Sequence, residues 1–447
     1  MRLENFETNC RLVGFTLQNG SGTIVLGSSN STKTFGGGIR IYKASLNLEH
    51  CILKNNEAYN GGGISSSRSN LFLKGNRIFH NYANQYGGGI LFTSLATPLN
   101  HIIFDQTDLN SLYMNYASAG YDLAKTDTAY CSLIILDTGT IQKPSHYYLL
   151  SISPNRYPVD NLSIQVNNWK IEQADSDLYV SPDGDDQNSG LSPDEPLKTI
   201  AFALIKIKSD SANPKTIHLA EGTYSPSQTG EKLAIGLKSY VALEGAAREK
   251  TVVDAENKSH CAYLLSRENG IFLKNISFIH GYGYHYFVTT AGIDASGSYR
   301  IILDSLAFLN CSSDYDAGIT MGQNDTTLIL NSLFQNNRGV TSINIYNSVF
   351  NKNHEIFFNI SSCQILNNMY DSTLINNGFD KKLCIPISIY TDNYPNLGKI
   401  NGTIINSEIT NTLDSAVDNS LPVSNGVSAT GNIQLNIINS TIGDNFT

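Results

Sequence analysis

Three glycine runs stand in fixed register within the first hundred residues: Gly36-Gly37-Gly38-Ile39, Gly61-Gly62-Gly63-Ile64 and Gly87-Gly88-Gly89-Ile90, spaced 25 and 26 residues apart. A period in the twenties defines a unit too small to bury its own apolar face, so successive units must stack. The chain is therefore expected to be a solenoid. Between the runs lie short segments of alternating polarity, such as Ser45-Leu46-Asn47-Leu48-Glu49 and Asn70-Leu71-Phe72-Leu73-Lys74. Alternation of period two belongs to strands with one face buried. A unit of this length has room for two or three such strands and their turns but none for a helix. The coils are expected to stack as parallel strands, with like residues in ladders.

The polar residues fit that scheme. Asparagines follow the strands in register at Asn55-Asn56 and Asn81, and the theme returns at Asn310, Asn336-Asn337, Asn367-Asn368 and Asn376-Asn377. Asparagine tolerates left-handed backbone, and its amide can bond along a ladder. Only 15 % of the residues are charged and the net charge is −9, with no basic stripe to neutralise phosphates, so no nucleic-acid partner is expected. The seven cysteines are scattered, without Cys-x-x-Cys or zinc-ligand spacing, and read as small buried hydrophobes. No apolar stretch is long enough to form a transmembrane segment.

The period breaks over residues 95–176. Residues 1–140 are expected to form the C-terminal coils of a first β-helix, opening within a coil and so N-terminally truncated, and 141–176 a β excursion or linker in which Trp169 serves as a core or cap residue. Residues 177–208 read as a cap: a strand at Asp177-Leu178-Tyr179-Val180, a turn-rich loop, then the chain's one clear amphipathic helix over 197–207. Leu197, Ile200, Ala201, Leu204 and Ile207 share a face, with Asp194 or Ser192 as candidate N-caps. Strands and coils follow to the end, which also reads as truncated, so 177–447 is expected to be a second β-helix. Its Ala291-Gly292-Ile293 and Ala317-Gly318-Ile319, 26 residues apart, restate the glycine-isoleucine turn. The fold class expected is all-β: a right-handed parallel β-helix in two segments with one short capping helix.

The run Tyr179-Val180-Ser181-Pro182-Asp183-Gly184-Asp185-Asp186, with Pro196-Leu197-Lys198-Thr199-Ile200 and Ala220-Glu221-Gly222-Thr223-Tyr224 after it, resembles the opening of bacterial right-handed parallel β-helix proteins of the pectin-lyase-like fold. The triple-glycine coils resemble the same repeat class and, more distantly, polymorphic outer-membrane-type repeats. The resemblance implies a protein secreted or held at a bacterial cell surface, but no single activity, because lyases, hydrolases and adhesins share the fold.

A lyase of this fold needs acidic residues on neighbouring coils to hold Ca²⁺ against a uronate and a Lys or Arg as base. Aligning the coils by their Ala-Gly-Ile turns sets Asp294 against Thr320 and Asp304 against Asn331, so no acidic ladder is expected. His280-Gly281-Tyr282-Gly283 matches the Gly-His-Gly of hydrolases only superficially. The best remaining cluster is the edge leading into the Ala-Gly-Ile turn: His280, Tyr282, Tyr284 and His285 in one coil, stacked on Asp314 and Asp316 in the next. Aromatics beside carboxylates could grip a sugar ring. Asp183, Asp185, Asp186 and Asn188 place oxygens at calcium-loop spacing but lack the downstream Glu, and otherwise form a polar turn. No other cofactor is indicated. The expectation is a surface scaffold or adhesin that binds glycan or extracellular matrix without catalysis. The alternative is a polysaccharide-active enzyme, either a polyuronate lyase or a glycoside hydrolase.

Overall fold

The computed structural model describes residues 1–5, 9–26, 32–94, 100–126, 129–153, 158–159, 162–265, 267–283, 290–322, 326–347, 355–368, 385–391, 399–411, 427–430 and 433–444. The chain divides into two compact units, Met1–Gln173 and Ala174–Thr447. Each is a right-handed parallel β-helix whose coil passes through three sheets in turn.

In the first unit the strands after the glycine runs, Ile39–Tyr42, Ile64–Ser67 and Ile90–Thr93, lie side by side in a six-stranded sheet, with Ile39 opposite Ile64 and Ile64 opposite Ile90. The first glycine of each run is left-handed, at φ 63°, 65° and 64° for Gly36, Gly61 and Gly87. The second admits no side chain, because a Cβ on Gly37 would lie 2.1 Å from the Gly62 carbonyl oxygen of the next coil. A fourth, degraded instance, Gly120-Tyr121-Asp122-Leu123, continues the series: Gly120 has φ 65° and Leu123 pairs with Ile90.

The asparagines form the expected ladder inside the corner. Asn56 Nδ2 donates to Asn81 Oδ1 at 2.9 Å, Asn81 Nδ2 to Asn115 Oδ1 at 2.9 Å, and Asn115 Nδ2 to Asp122 Oδ1 at 2.9 Å. The cysteines belong to the same logic. The backbone N–H of Cys51 donates to Asn76 Oδ1 and that of Cys311 to Asn337 Oδ1, so each occupies a ladder position that accepts any small side chain. The six described cysteines are free, and four of them are buried. Cys384 lies outside the described residues.

Three expectations are corrected. The first unit runs to Gln173, past the expected boundary at 140, because Leu149–Ile152 and Ile164–Trp169 extend two of its sheets by parallel pairing and form no separate linker. Trp169 is neither core nor cap: on an edge strand it is 38 % exposed and donates through Nε1 to Glu172. The helix spans Ile200–Lys206 and its N-cap is Thr199, whose hydroxyl accepts from the Phe202 N–H at 3.1 Å. Ser192 and Asp194 fall too early because Leu197 is spent on a β-bridge to Val180.

In the second unit the apolar stripe of the helix is buried as expected. The helix packs against the sheet strands that begin the unit, Leu178–Val180, Lys215–Leu219 and Ile235–Leu237. From there the core is a column. Phe278, Phe308 and Phe334, one per coil, stack at centroid separations of 5.5 and 5.0 Å. Gly292 keeps its expected register, with Ile293 opposite Ile319, and a Cβ on it would lie 2.0 Å from the Gly318 oxygen.

Candidate binding edge and carboxylate cluster

The turn-edge residues named from sequence come together in part. Tyr282–Gly283 pairs in parallel with Ser312–Ser313, setting Tyr282 opposite Ser312, and Ser312 in turn bridges to Arg338 on the following coil. Three successive coils thus place an aromatic, a hydroxyl and a guanidinium in one column. Tyr282 and Ser312 are half-buried and Arg338 is exposed. Tyr315, half-buried, follows two residues after the short strand. Tyr284 and His285 lie outside the described residues.

The carboxylates of this edge are turned inward. His280 occupies a left-handed corner at φ 51°, and its Nδ1 lies 3.0 Å from Asp254 Oδ1 of the preceding coil. Asp314 is buried. Asp316 is only 4 % exposed, and its carboxylate accepts three hydrogen bonds: Thr341 Oγ1 at 2.5 Å, Thr320 Oγ1 at 2.6 Å and Asn344 Nδ2 at 3.0 Å. Thr320 shares a further hydrogen bond with Thr290, so the network spans three coils.

Asp294 completes this cluster. It pairs with Thr320 as expected, and Asp304 pairs with Leu330, one residue from the expected Asn331, whose Nδ2 still reaches Asp304 Oδ1 at 2.8 Å. Asp294 and Asp316 sit four positions apart along an unbroken register, Thr290 bridging to Asp316 and Asp294 pairing with Thr320, while a bulge between Asp316 and Ile319 shifts the ladder towards the following coil. Burial raises the Asp316 pKa, the three donors oppose the rise, and the charge of Asp294 adds to it. Tyr346, stacked at 5.7 Å on Tyr390, borders the cluster, and burial raises its phenol as well.

In the loop read as a calcium candidate, two of the carboxylates accept local hydrogen bonds. Asp185 Oδ1 accepts the Gln187 N–H, and Asp186 accepts the Lys198 and Thr199 N–H groups and the Thr199 hydroxyl. Asn188 Nδ2 donates to the Pro196 carbonyl, and the backbone N–H of Asp183 donates to Ser181 Oγ. Among the described residues no three His, Cys, Asp or Glu side chains gather as they would around a metal ion, and no helix is long and apolar enough to cross a membrane.

Residues 182–270 match the family described as "Protein of unknown function (DUF1565)". No curated protein matches the chain. Among solved structures, the pectin methylesterase from carrot is 12 % identical over 61 % of this chain and 84 % of that one, with a TM-score of 0.29. Pectin methylesterase PemA from Erwinia chrysanthemi is 11 % identical over 53 % and 80 %, at 0.26. The enzyme from Aspergillus niger is 13 % identical over 61 % and 87 %, at 0.25. The fold assignment stands on the strand pairing itself, and no residue is carried over from these proteins.

Proposed function

We propose that the chain is a β-helical scaffold of the pectin-lyase-like kind that binds an acidic polysaccharide along the turn edge of its second unit, without turnover. The observation that carries this reading is the column Tyr282–Ser312–Arg338 on three successive coils. An aromatic face suits the C–H surface of a pyranose, a hydroxyl bonds its ring substituents, and an arginine fork suits a carboxylate. Repetition at strand spacing suits a polymer. Of the nearby carboxylates that would repel such a ligand, Asp316 is directed into hydrogen bonds between coils and Asp314 is buried. The Asp183–Asn188 loop acts in this reading as a brace for the capping helix. Secretion or display at a bacterial surface is the setting in which such a scaffold would meet its polymer.

Retention of the protein on immobilised polygalacturonate tests the column. Arg338→Ala is expected to weaken binding about tenfold, the loss of one charge-assisted contact, and Tyr282→Ala by a similar factor. Unchanged retention in both variants overturns the proposed edge.

A second reading is favoured by one observation, the buried Asp316, whose pKa is raised by burial and further by the charge of Asp294. A buried carboxyl with a raised pKa beside a second carboxylate is the makings of a general acid for an enzyme acting on polysaccharide. Asp316→Asn separates the readings: the scaffold retains its binding, whereas an enzyme would lose turnover.

A further inference from the structure

A groove of about 480 Å³ opens in the second unit, on the outer face of the nine-stranded sheet beside the loop that precedes the helix. It is distinct from the turn edge: its walls are Tyr179 and His218 on the sheet, Pro193 and Pro196 on the loop, and Glu244 and Asn275 at the corner. Strand register explains why these residues converge. Tyr179, His218, Glu244, Lys274 and Asp304 are successive partners across five parallel strands, forming one outward-facing row.

The row begins with an aromatic step. The Tyr179 and His218 rings stack at 5.0 Å and 23°. Tyr179 is held there from both sides of its backbone, its N–H donating to the Gly190 carbonyl at 2.8 Å and its carbonyl accepting from the Leu197 N–H at 2.9 Å. The tyrosine is thus fixed by the same loop that supplies the prolines, so rings and prolines make a rigid, apolar wall. The row continues into charge. Glu244 Oε1 meets Lys274 Nζ at 2.8 Å, and Asp177 Oδ2 lies 3.5 Å from His218 Nε2 while its Oδ1 accepts the Thr216 N–H. His218, Glu244 and Lys274 are each about one-third exposed, so the row is presented to solvent.

We infer that this groove binds an uncharged pyranose oligosaccharide. An aromatic and proline wall receives the C–H face of a sugar, while Glu244 and Asn275 in the groove, with Lys274 beside Glu244, offer acceptors and donors to its hydroxyls. Glu244 and Asp304 in the row, with Asp177 beside His218, outnumber Lys274, so this face repels the polyanion proposed for the turn edge. The groove therefore discriminates by charge against the ligand of the other site. Its volume is that of a small-ligand site and holds a short segment of chain.

Isothermal titration with cellohexaose and chitohexaose tests the assignment. At least one is expected to bind, with His218→Ala weakening it about tenfold through loss of the stacked ring. His218→Phe, which restores a ring on Tyr179, is expected to stay within about threefold of the wild type, and Tyr282→Ala to leave binding unchanged. If His218→Ala does not fold, Glu244→Gln and His218→Phe take its place: the first weakens binding and the second preserves it. The proposal is overturned if neither oligosaccharide binds, if both replacements at 218 behave alike, or if trigalacturonate occupies the groove with higher affinity. Loss of polygalacturonate retention in Tyr282→Ala with no binding of neutral sugars removes the groove and leaves the turn-edge reading in place.

Discussion

Asn81 shows at the scale of one residue why these coils hold their register. Its side-chain oxygen accepts from both the N–H and the Nδ2 of Asn56, and its own Nδ2 donates to the Leu53 and Phe79 carbonyls and to Asn115 Oδ1, all in the buried corner. Replacing it by alanine strands donors and acceptors on two neighbouring coils. Asn81→Ala is expected to destabilise the first unit by about 3 kcal/mol, read from denaturant unfolding. Asp122, where this ladder ends, makes a pH prediction. Burial lifts its pKa from 3.8 to about 7, against the opposing hydrogen bonds from Thr140 and Asn115. Because the folded value lies above the unfolded one, its stabilising contribution is complete below pH 3.8 and is lost as pH rises through about 7. Wild type should lose up to about 1.4 kcal/mol per pH unit across that window relative to Asp122→Asn. Parallel stability–pH curves for the two proteins would contradict the assignment. The ladder was legible in the sequence as spaced asparagines. Its terminal aspartate was not, because Tyr121 and Asp122 stand where glycines recur in earlier coils.

The capping helix shows at the scale of an element how a seven-residue segment is held. Thr199 caps it, Asp186 holds Thr199, and the buried Glu231 accepts the Ile200 and Ala201 N–H groups at 2.8 and 2.9 Å. At the other end the buried Lys238 ammonium donates to the Leu204 carbonyl. A carboxylate at the N-terminus and an ammonium at the C-terminus both complement the helix dipole. Burial works against each charge, raising Glu231 to about 7 and lowering Lys238 to about 7. Thr199→Ala is expected to cost about 1 kcal/mol, the usual loss for an N-cap. Glu231→Ala should cost about 3 kcal/mol, because it leaves two buried helix N–H groups without an acceptor. Equal effects of the two changes in denaturant unfolding would show that Glu231 contributes no more than an ordinary cap. The helix and its apolar stripe were readable from periodicity. Its true cap was not, since local sequence offered Ser192 and Asp194 equally, and the decisive partners Glu231 and Lys238 lie some thirty residues further along the chain.

At the scale of the whole molecule the period determines the architecture, and the rest follows from what each coil places on its faces. Glycine spacing disclosed parallel coils, and alternation disclosed which side chains face inward. The site was less legible. Asp294 and Asp316 stand at different register positions of neighbouring coils, so no ladder in the sequence marks them as one cluster, and the row from Tyr179 to Asp304 draws one residue from each of five strands with no common motif. The two compact units make a prediction for amide hydrogen exchange: Asn81→Ala should lower protection within Met1–Gln173 and Glu231→Ala within Ala174–Thr447. Protection that stays unchanged around either substituted position would contradict the role given to that residue. The central claim is that the second unit binds acidic polysaccharide and leaves it intact. It is tested most directly by incubating the protein with polygalacturonate, then measuring bound polymer together with released product, both reducing ends and the ultraviolet absorbance of an unsaturated uronate. The account predicts saturable binding that weakens in Arg338→Ala, with no product of either kind. Product that accumulates with wild type and disappears with Asp316→Asn would contradict it.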